Sequence, residues 1–269
     1  PLFEINIPPF MGIMTALVTA FMIGLGMANA EEDYLYNVIK DFQEIIQMVI
    51  KAVIIPLLPL HIAGIIANMS YVGKVASTMA AFGKVFVLIL GLQITYVIIQ
   101  YLVACQIGNR NPITAIKNML PAYFTAIGTQ SSAATIPVTV QSVLENDVKE
   151  DIADFVVPLG ATIHLAGDTI TLTLASMAVM MLHGQAVTFG AMFPFILMLG
   201  ITMVAAPGIP GGGVMASLGL LEGMLGFGAT QKSLMIALHL AQDSFGTASN
   251  IMGDGAISII MDSLSDDEE

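Results

Sequence analysis

The chain of 269 residues is 56% hydrophobic and only 10% charged, with a mean hydropathy of +0.85, whereas a soluble globular domain carries about 25% charged residues. That composition excludes an ordinary water-soluble fold. The 8 Lys and Arg stand against 20 Asp and Glu, a net charge of −12, so there is no basic surface for a phosphate backbone and nucleic acid is excluded as a partner.

The sequence starts at Pro1 in mid-pattern, with neither a Met nor a basic region ahead of its first apolar run. This reads as an N-terminally incomplete chain rather than a signal peptide. Apolar runs at 10–30, 45–69, 85–107, 155–182 and 234–261 each reach the ~20 residues that a helix needs to span a bilayer. No alternating barrel pattern accompanies them, so the expected fold class is an all-α polytopic membrane protein. Acidic stretches at 31–41 and 145–154 read as loops, and Arg110 with Lys117 places the loop before residue 112 on the cytoplasmic side. The single cysteine, Cys105, lies in an apolar run and reads as packing. The acidic run 262–269 reads as a solvated tail.

Two further apolar stretches are interrupted. One, 112–143, is expected to break at Pro121, Gly128 and Pro137; the other, 188–227, at Pro194, Pro207, Pro210 and 211–213. Small residues and Pro in mid-segment suggest two half-helices meeting at a tip within the membrane, so both stretches are expected to be re-entrant helical hairpins. Each is followed by an apolar helix carrying charge, Asp168 in the first case and Asp243 with Asp254 in the second. Discontinuous segments at corresponding positions of two halves form an internal repeat and point to the midplane site of a secondary transporter.

In LAQDSFGTASNIMGDG, Asp243, Thr247, Asn250 and Asp254 follow at spacings of four, three and four, which places them within about 60° on one helix face. Thr247 alone is equally well explained as hydrogen-bonding glue between helices. Each buried carboxylate, however, costs at least about 2.5 kcal/mol in a membrane helix, so the pair calls for a cation or amine partner. His164 and Asp168, in PLGATIHLAGDTITL, are one helical turn apart and form either a proton-exchanging or a structural pair. His61, His183 and His239 read as packing or interfacial residues without a charged neighbour at a useful spacing. Ser131 and Ser132 occupy the first expected tip, where free N–H groups at a half-helix N-terminus attract a carboxylate. Residues 208–213, in APGIPGGG, form the second tip, with carbonyls suited to a cation and without the Lys of a phosphate-binding loop.

GNRNPITAIKNMLPAYFTAIGTQSSAATIPVT, PLGATIHLAGDTI, PGIPGGG and NIMGDGAI occur in this order and together resemble the dicarboxylate/amino acid:cation symporter family, the glutamate transporter family. The resemblance implies eight transmembrane helices and two re-entrant hairpins in an inverted repeat. It also implies a homotrimer in the plasma or inner membrane, with a transport domain moving as an elevator against a scaffold. Residues 1–74 would then be a partial scaffold holding the end of the fourth helix and the fifth, the first three helices being missing. Residues 75–262 would be the transport domain, with the sixth helix, hairpin 1 at 112–143, the seventh helix at 154–182, hairpin 2 at 188–227 and the eighth helix at 230–262. An acidic tail, 263–269, would follow.

Matched position by position, the resemblance makes Ser131 and Ser132 holders of a substrate α-carboxylate and puts Ile209 and Gly211 in the closing second tip. Asp243 matches the residue that binds the α-amine, and Asn250 one that helps hold the carboxylate, with Thr247 beside them. Gly246 stands where acidic amino acid transporters carry an Arg, and the alternative Arg position holds Gln130. Without a fixed positive charge a second substrate carboxylate would be desolvated and unpaired. The expected substrate is therefore a small neutral amino acid such as Ser, Thr or Ala, the alternative being a dicarboxylate or acidic amino acid. The family's NMDGT motif reads HLAGD here, with Ala166 replacing a sodium-ligating Asp and His164 an Asn. Gly160, Asn250 and Asp254 match one sodium site, and Thr162 with carbonyls near Val204 and Ala206 another; His164 with Asp168 would offer proton coupling instead. The coupling ion is the only cofactor implied, and the chain is not expected to be an enzyme. An intramembrane aspartyl protease needs a GxGD pattern, whose first Gly is Ile251 here. A passive channel fits paired hairpins and an amine-binding Asp less well than a saturable site does.

Overall fold

The computed structural model describes residues 13–28, 34–49 and 75–266, with isolated positions between 52 and 71. About half of the apolar run 45–69, His61 included, lies outside the described residues, as do 267–269. Among the described residues the structure is helical and has no strand. The chain divides into two units, Pro1–Pro59 and Leu60–Glu269.

The first unit contains α1 (Ile13–Ala28) and α2 (Tyr34–Val49). Helix α1 is apolar on every face, as the run 10–30 predicted. Helix α2 corrects the expected acidic loop at 31–41: YLYNVIKDFQEIIQMV repeats apolar residues at Leu35, Val38, Phe42, Ile45, Ile46 and Val49, a helical period that outweighs its few charges.

The second unit runs α3 (Val75–Ile107), α4 (Pro112–Asn118), α5 (Leu120–Thr129), α6 (Ser132–Leu144), α7 (Glu150–Ile163), α8 (Ala166–Leu182), α9 (Phe189–Val204), α10 (Gly212–Leu225) and α11 (Ala229–Asp266). By length and composition, Phe82–Ile107 and Glu150–Leu182 are long and apolar enough to cross a membrane. Helix α11 is the centre: α3, α5, α6, α7, α8 and α10 all pack against it. Close approach is possible because its buried middle is made of small residues, Gly246, Ala248, Ser249, Gly253, Gly255 and Ala256. Around it Tyr101, Cys105, Met119, Ala122, Ala126, Val157, Ile251 and Ile259 form one apolar core, and Cys105 packs there as expected.

The interruptions fall at fewer places than the prolines suggested. Pro121 does mark a break, α4 ending at Asn118 and α5 starting at Leu120 with Pro121 in its first turn, where a missing N–H costs nothing; Pro137 and Pro194, by contrast, lie inside α6 and α9 without ending them. The chain turns instead at Gln130–Ser131 and across 205–211. Helix α5 packs against α6 and α9 against α10, giving two helix pairs, each with a tip. The run 155–182 is corrected too: it is not one helix but α7 and α8, separated at His164 (φ −102°, ψ 86°) and Leu165 (φ −111°, ψ 49°). The acidic stretch 145–154 is a loop only to Lys149, because Glu150 and Asp151 open α7, where negative charge complements the helix dipole.

The tail reading fails for Asp262. It is 3% exposed, pairs with Arg110 and accepts the Lys149 N–H at 2.9 Å, so α11 continues to Asp266 with its end tied to the starts of α4 and α7. Replacing Asp262 with Ala removes the carboxylate from both and leaves Arg110 its bond to the Asp147 carbonyl at 3.0 Å. The expected loss is about 3 kcal/mol of stability, read as a lowered melting temperature in detergent, with Asp262→Asn losing less; a wild-type melt for Asp262→Ala would refute the assignment.

Candidate functional site

Both tips close onto α11. At the first, Gln130 takes the left-handed conformation (φ 52°) that ends α5, and Ser131 is extended and caps α6, its Oγ accepting the Ala134 N–H. At the second, Gly211 (φ 74°) starts α10 in the left-handed region, a conformation that suits Gly. The tips touch: Ser131 Oγ donates to the Gly208 carbonyl at 2.8 Å. Gly208 is also crowded from behind, since a Cβ there would lie 2.9 Å from the Ala161 carbonyl of α7.

Each tip is held to α11 by a polar bond. Gln130 Nε2 donates to Ser244 Oγ at 2.8 Å, and the Gly211 N–H donates to Asp243 Oδ2 at 2.6 Å. A polar cavity between tips and helix is lined by Gln130, Ser132, Ile209, Asp243, Thr247 and Asn250, with Asp168 entering from α8. The predicted residues Ser132, Ile209, Asp243, Thr247 and Asn250 therefore meet in one place, with Ser131 and Gly211 bonded at its edge. No Lys or Arg lines this cavity.

The break between α7 and α8 supplies the rest. Helix α8 begins with an unpaired N-terminal turn, and α11 answers it: Asn250 Oδ1 accepts the Gly167 N–H at 2.7 Å. The same Asn250 donates from Nδ2 to Asp168 Oδ2 at 2.7 Å, while His239 Nε2 donates to Asp168 Oδ1 at 2.8 Å. One ligand atom from each of Asp168, His239 and Asp243 lies within 4.8 Å of the others, all buried.

This corrects the expected partner of His164. His164 ends α7 and Asp168 belongs to α8, so the one-turn spacing within a single helix does not apply. His164 Nδ1 instead donates to Asp254 Oδ1 at 2.9 Å. The other oxygen, Asp254 Oδ2, is buried without a hydrogen-bond partner. Gly160 lies directly beneath this carboxylate, with no room for a Cβ. Asp254 thus stands over Gly160, while Asn250, one turn earlier on α11, bonds to the start of α8. Thr162 is exposed and its hydroxyl bonds back to the Leu159 carbonyl at 2.8 Å; Val204 ends α9 exposed and Ala206 is buried in the second tip.

His239 is the residue that sequence reasoning missed. It is fully buried and holds Asp168, yet it was read as lacking a charged neighbour. The signal was present: His239 stands four residues before Asp243 and extends the polar stripe of α11 by one turn. His183 has the ordinary role expected of it, its Nδ1 bonding to the Val179 carbonyl at the end of α8.

Comparison with known proteins places the chain in a family. The model of the sodium:dicarboxylate symporter family matches residues 2–264. Excitatory amino acid transporter 1 of Ambystoma tigrinum is 30% identical over 257 residues, covering 93% of this chain and 46% of that protein. The human excitatory amino acid transporter 1 is 30% identical over 205 residues (76% of this chain, 37% of that protein), and excitatory amino acid transporter 5 of Mus musculus 31% over 172 (64% and 31%). The chain thus spans less than half the length of these relatives. Family and relatives are transporters rather than enzymes, which removes the protease reading of the buried carboxylates. With the family model matched over nearly its whole length, the chain belongs to the sodium:dicarboxylate symporter family.

Proposed function

We propose that this chain carries the substrate and ion sites of a sodium-coupled secondary active transporter for small neutral amino acids. The observation that supports this reading most is a cavity, between two helix tips, that holds Asp243 and is lined by no Lys or Arg. Asp243 binds the substrate amine. An arriving ammonium competes with the Gly211 N–H for Asp243 Oδ2, which links substrate arrival to the position of the second tip. The substrate carboxylate lies at the N-terminus of α6, against Ser131 and Ser132, where N–H groups and the helix dipole favour an anion.

Sodium serves as the coupling ion at Asp254, with Asn250 and Gly160 beside it. A buried carboxylate oxygen without a partner, Asp254 Oδ2, suits a hard cation, and binding there stabilises the charge that burial makes costly. Thr162 with the carbonyls of Val204 and Ala206 belongs to a second ion site that forms when the second tip closes. The two helix pairs are re-entrant hairpins of an inverted repeat. In the complete transporter, a homotrimer of multi-pass subunits in the plasma or inner membrane, residues 75–262 move as an elevator against a scaffold to which residues 1–74 belong.

A second reading has its own support. The relatives are named excitatory amino acid transporters and the family name specifies dicarboxylates, which favours an acidic substrate. That substrate needs a partner for its second carboxylate, and Gly246 and Gln130 supply no charge. A thermal-shift panel on the complete gene product separates the two readings, with neutral amino acids, glutamate, aspartate and succinate each tested with and without sodium. A neutral amino acid at about 100 times its Kd is expected to add about 2.7 kcal/mol of stability, and only with sodium. Stabilisation by succinate or glutamate instead would establish the second reading, and stabilisation independent of sodium would remove the ion assignment.

A further inference from the structure

Asp168 places a second carboxylate in the substrate cavity, and nothing in the amine and carboxylate assignments uses it. It is 4% exposed and lines the cavity together with Asp243. His239 Nε2 holds Oδ1 and Asn250 Nδ2 holds Oδ2, at 2.8 and 2.7 Å. An ionised carboxylate accepts about four hydrogen bonds, so two of its lone-pair directions remain. The flanking positions are glycines: a Cβ at Gly213 would lie 3.2 Å from Oδ1, and one at Gly246 3.5 Å from it. At Gly213, where His239 Nε2 would also lie 3.3 Å away, α10 packs directly onto the carboxylate, whereas Gly246 leaves ordinary contact space beside this oxygen. Gly246 therefore does more than remove a base, because it also puts no side chain beside a carboxylate held in place by two donors.

Resting on the amino acid reading above, we infer that Asp168 is a specificity residue that accepts a hydrogen bond from the far end of the substrate. The substrate class is then an amino acid whose side chain ends in an O–H or N–H donor, a hydroxyl or carboxamide. Asp243 takes the amine, the α6 N-terminus the α-carboxylate, and Asp168 the side-chain donor. A purely aliphatic side chain leaves Asp168 desolvated with lone pairs unfilled, and an acidic one sets two carboxylates against each other; both are penalised. His239 and Asn250 act as positioning residues that fix Asp168, not as contacts of the substrate.

The test compares shape-matched pairs on the complete gene product, as competitors of transport or in thermal shift. Threonine is expected to bind at least about tenfold more tightly than valine, and glutamine at least about tenfold more tightly than glutamate, the weight of one hydrogen bond to a charged group. In Asp168→Asn the glutamine-to-glutamate ratio is expected to fall toward one. His239→Gln, which keeps a donor toward Oδ1, is expected to preserve the order of preference. Equal binding within both pairs in the wild type overturns the inference, whatever the variants do, and so does an Asp168→Asn protein with unchanged ratios. If succinate binds and no amino acid does, the amino acid reading falls first and takes this inference with it, a different outcome from equal binding of threonine and valine.

Discussion

Replacing Asp243 by Asn is expected to abolish amino acid binding while leaving the folded protein intact. Asp243 is 4% exposed, and its Oδ2 accepts the Gly211 N–H at 2.6 Å. An amide oxygen still accepts that bond, so the second tip keeps its tie to α11 and the melting temperature without ligand should stay close to wild type. Binding is different. A substrate ammonium that leaves water for this cavity meets an uncharged amide and an NH2 group that repels it. Removing one partner of a buried ion pair costs about 3–5 kcal/mol, a loss of two to more than three orders of magnitude in affinity. The experiment is a titration of the purified variant with neutral amino acids in saturating sodium, with unliganded stability measured alongside. Unchanged affinity would place the amine elsewhere and remove the amino acid reading, whereas a binding loss accompanied by unfolding would show that the Asp243 charge holds the fold rather than the substrate.

The stripe on α11 was legible because a continuous helix converts spacing directly into a shared face: Asp243, Thr247, Asn250 and Asp254 needed only the period of the helix. The two tips were legible for a related reason, since 130–132 and 207–213 carry residues that tolerate or require non-helical backbone. What could not be read was anything that depends on a break without a signature. HLAGD contains neither Pro nor a residue in the left-handed region, yet the chain leaves the helix at His164 and Leu165. Treating 155–182 as one helix therefore paired His164 with Asp168. The partners in the structure are Asp254 and His239, 90 and 71 residues away, set by tertiary packing that no local pattern encodes. The prolines misled in the opposite direction: Pro137 and Pro194 sit within helices, where neighbouring helices make their missing hydrogen bonds tolerable. Asp262 looked like the first residue of a tail because its partner Arg110 is 152 positions away.

The same packing makes Gly167→Ala a substitution expected to damage the fold severely. Gly167 is the second residue of α8, and a Cβ there would fall onto the Gly246 carbonyl oxygen of α11, 2.8 Å from Ser249 Cβ. The nearest obstacle is backbone, so no rotamer change relieves it; α8 must move away from α11. That movement strains the polar bonds that join them, from Asn250 to the Gly167 N–H and Asp168 and from His239 to Asp168. It also disturbs Gln93 of α3, whose Nε2 donates to the Gly167 carbonyl and to Thr171 Oγ1. Overpacking costs about 1–3 kcal/mol, and a weakened buried bond to a charged group about 1.5–3 kcal/mol more. Together these approach the 5–15 kcal/mol that holds a typical domain folded. The variant is expected to yield little monodisperse protein, and what is recovered should melt far below wild type. Gly246→Ala is the control on the facing helix: its Cβ would meet nothing nearer than Asp168 Oδ1 at 3.5 Å, an ordinary contact, so near-normal yield and stability are expected. A Gly167→Ala protein as stable as Gly246→Ala would mean that α8 and α11 do not approach closely enough for Asn250 and His239 to hold Asp168, and the geometry of the cavity would have to be redrawn from there.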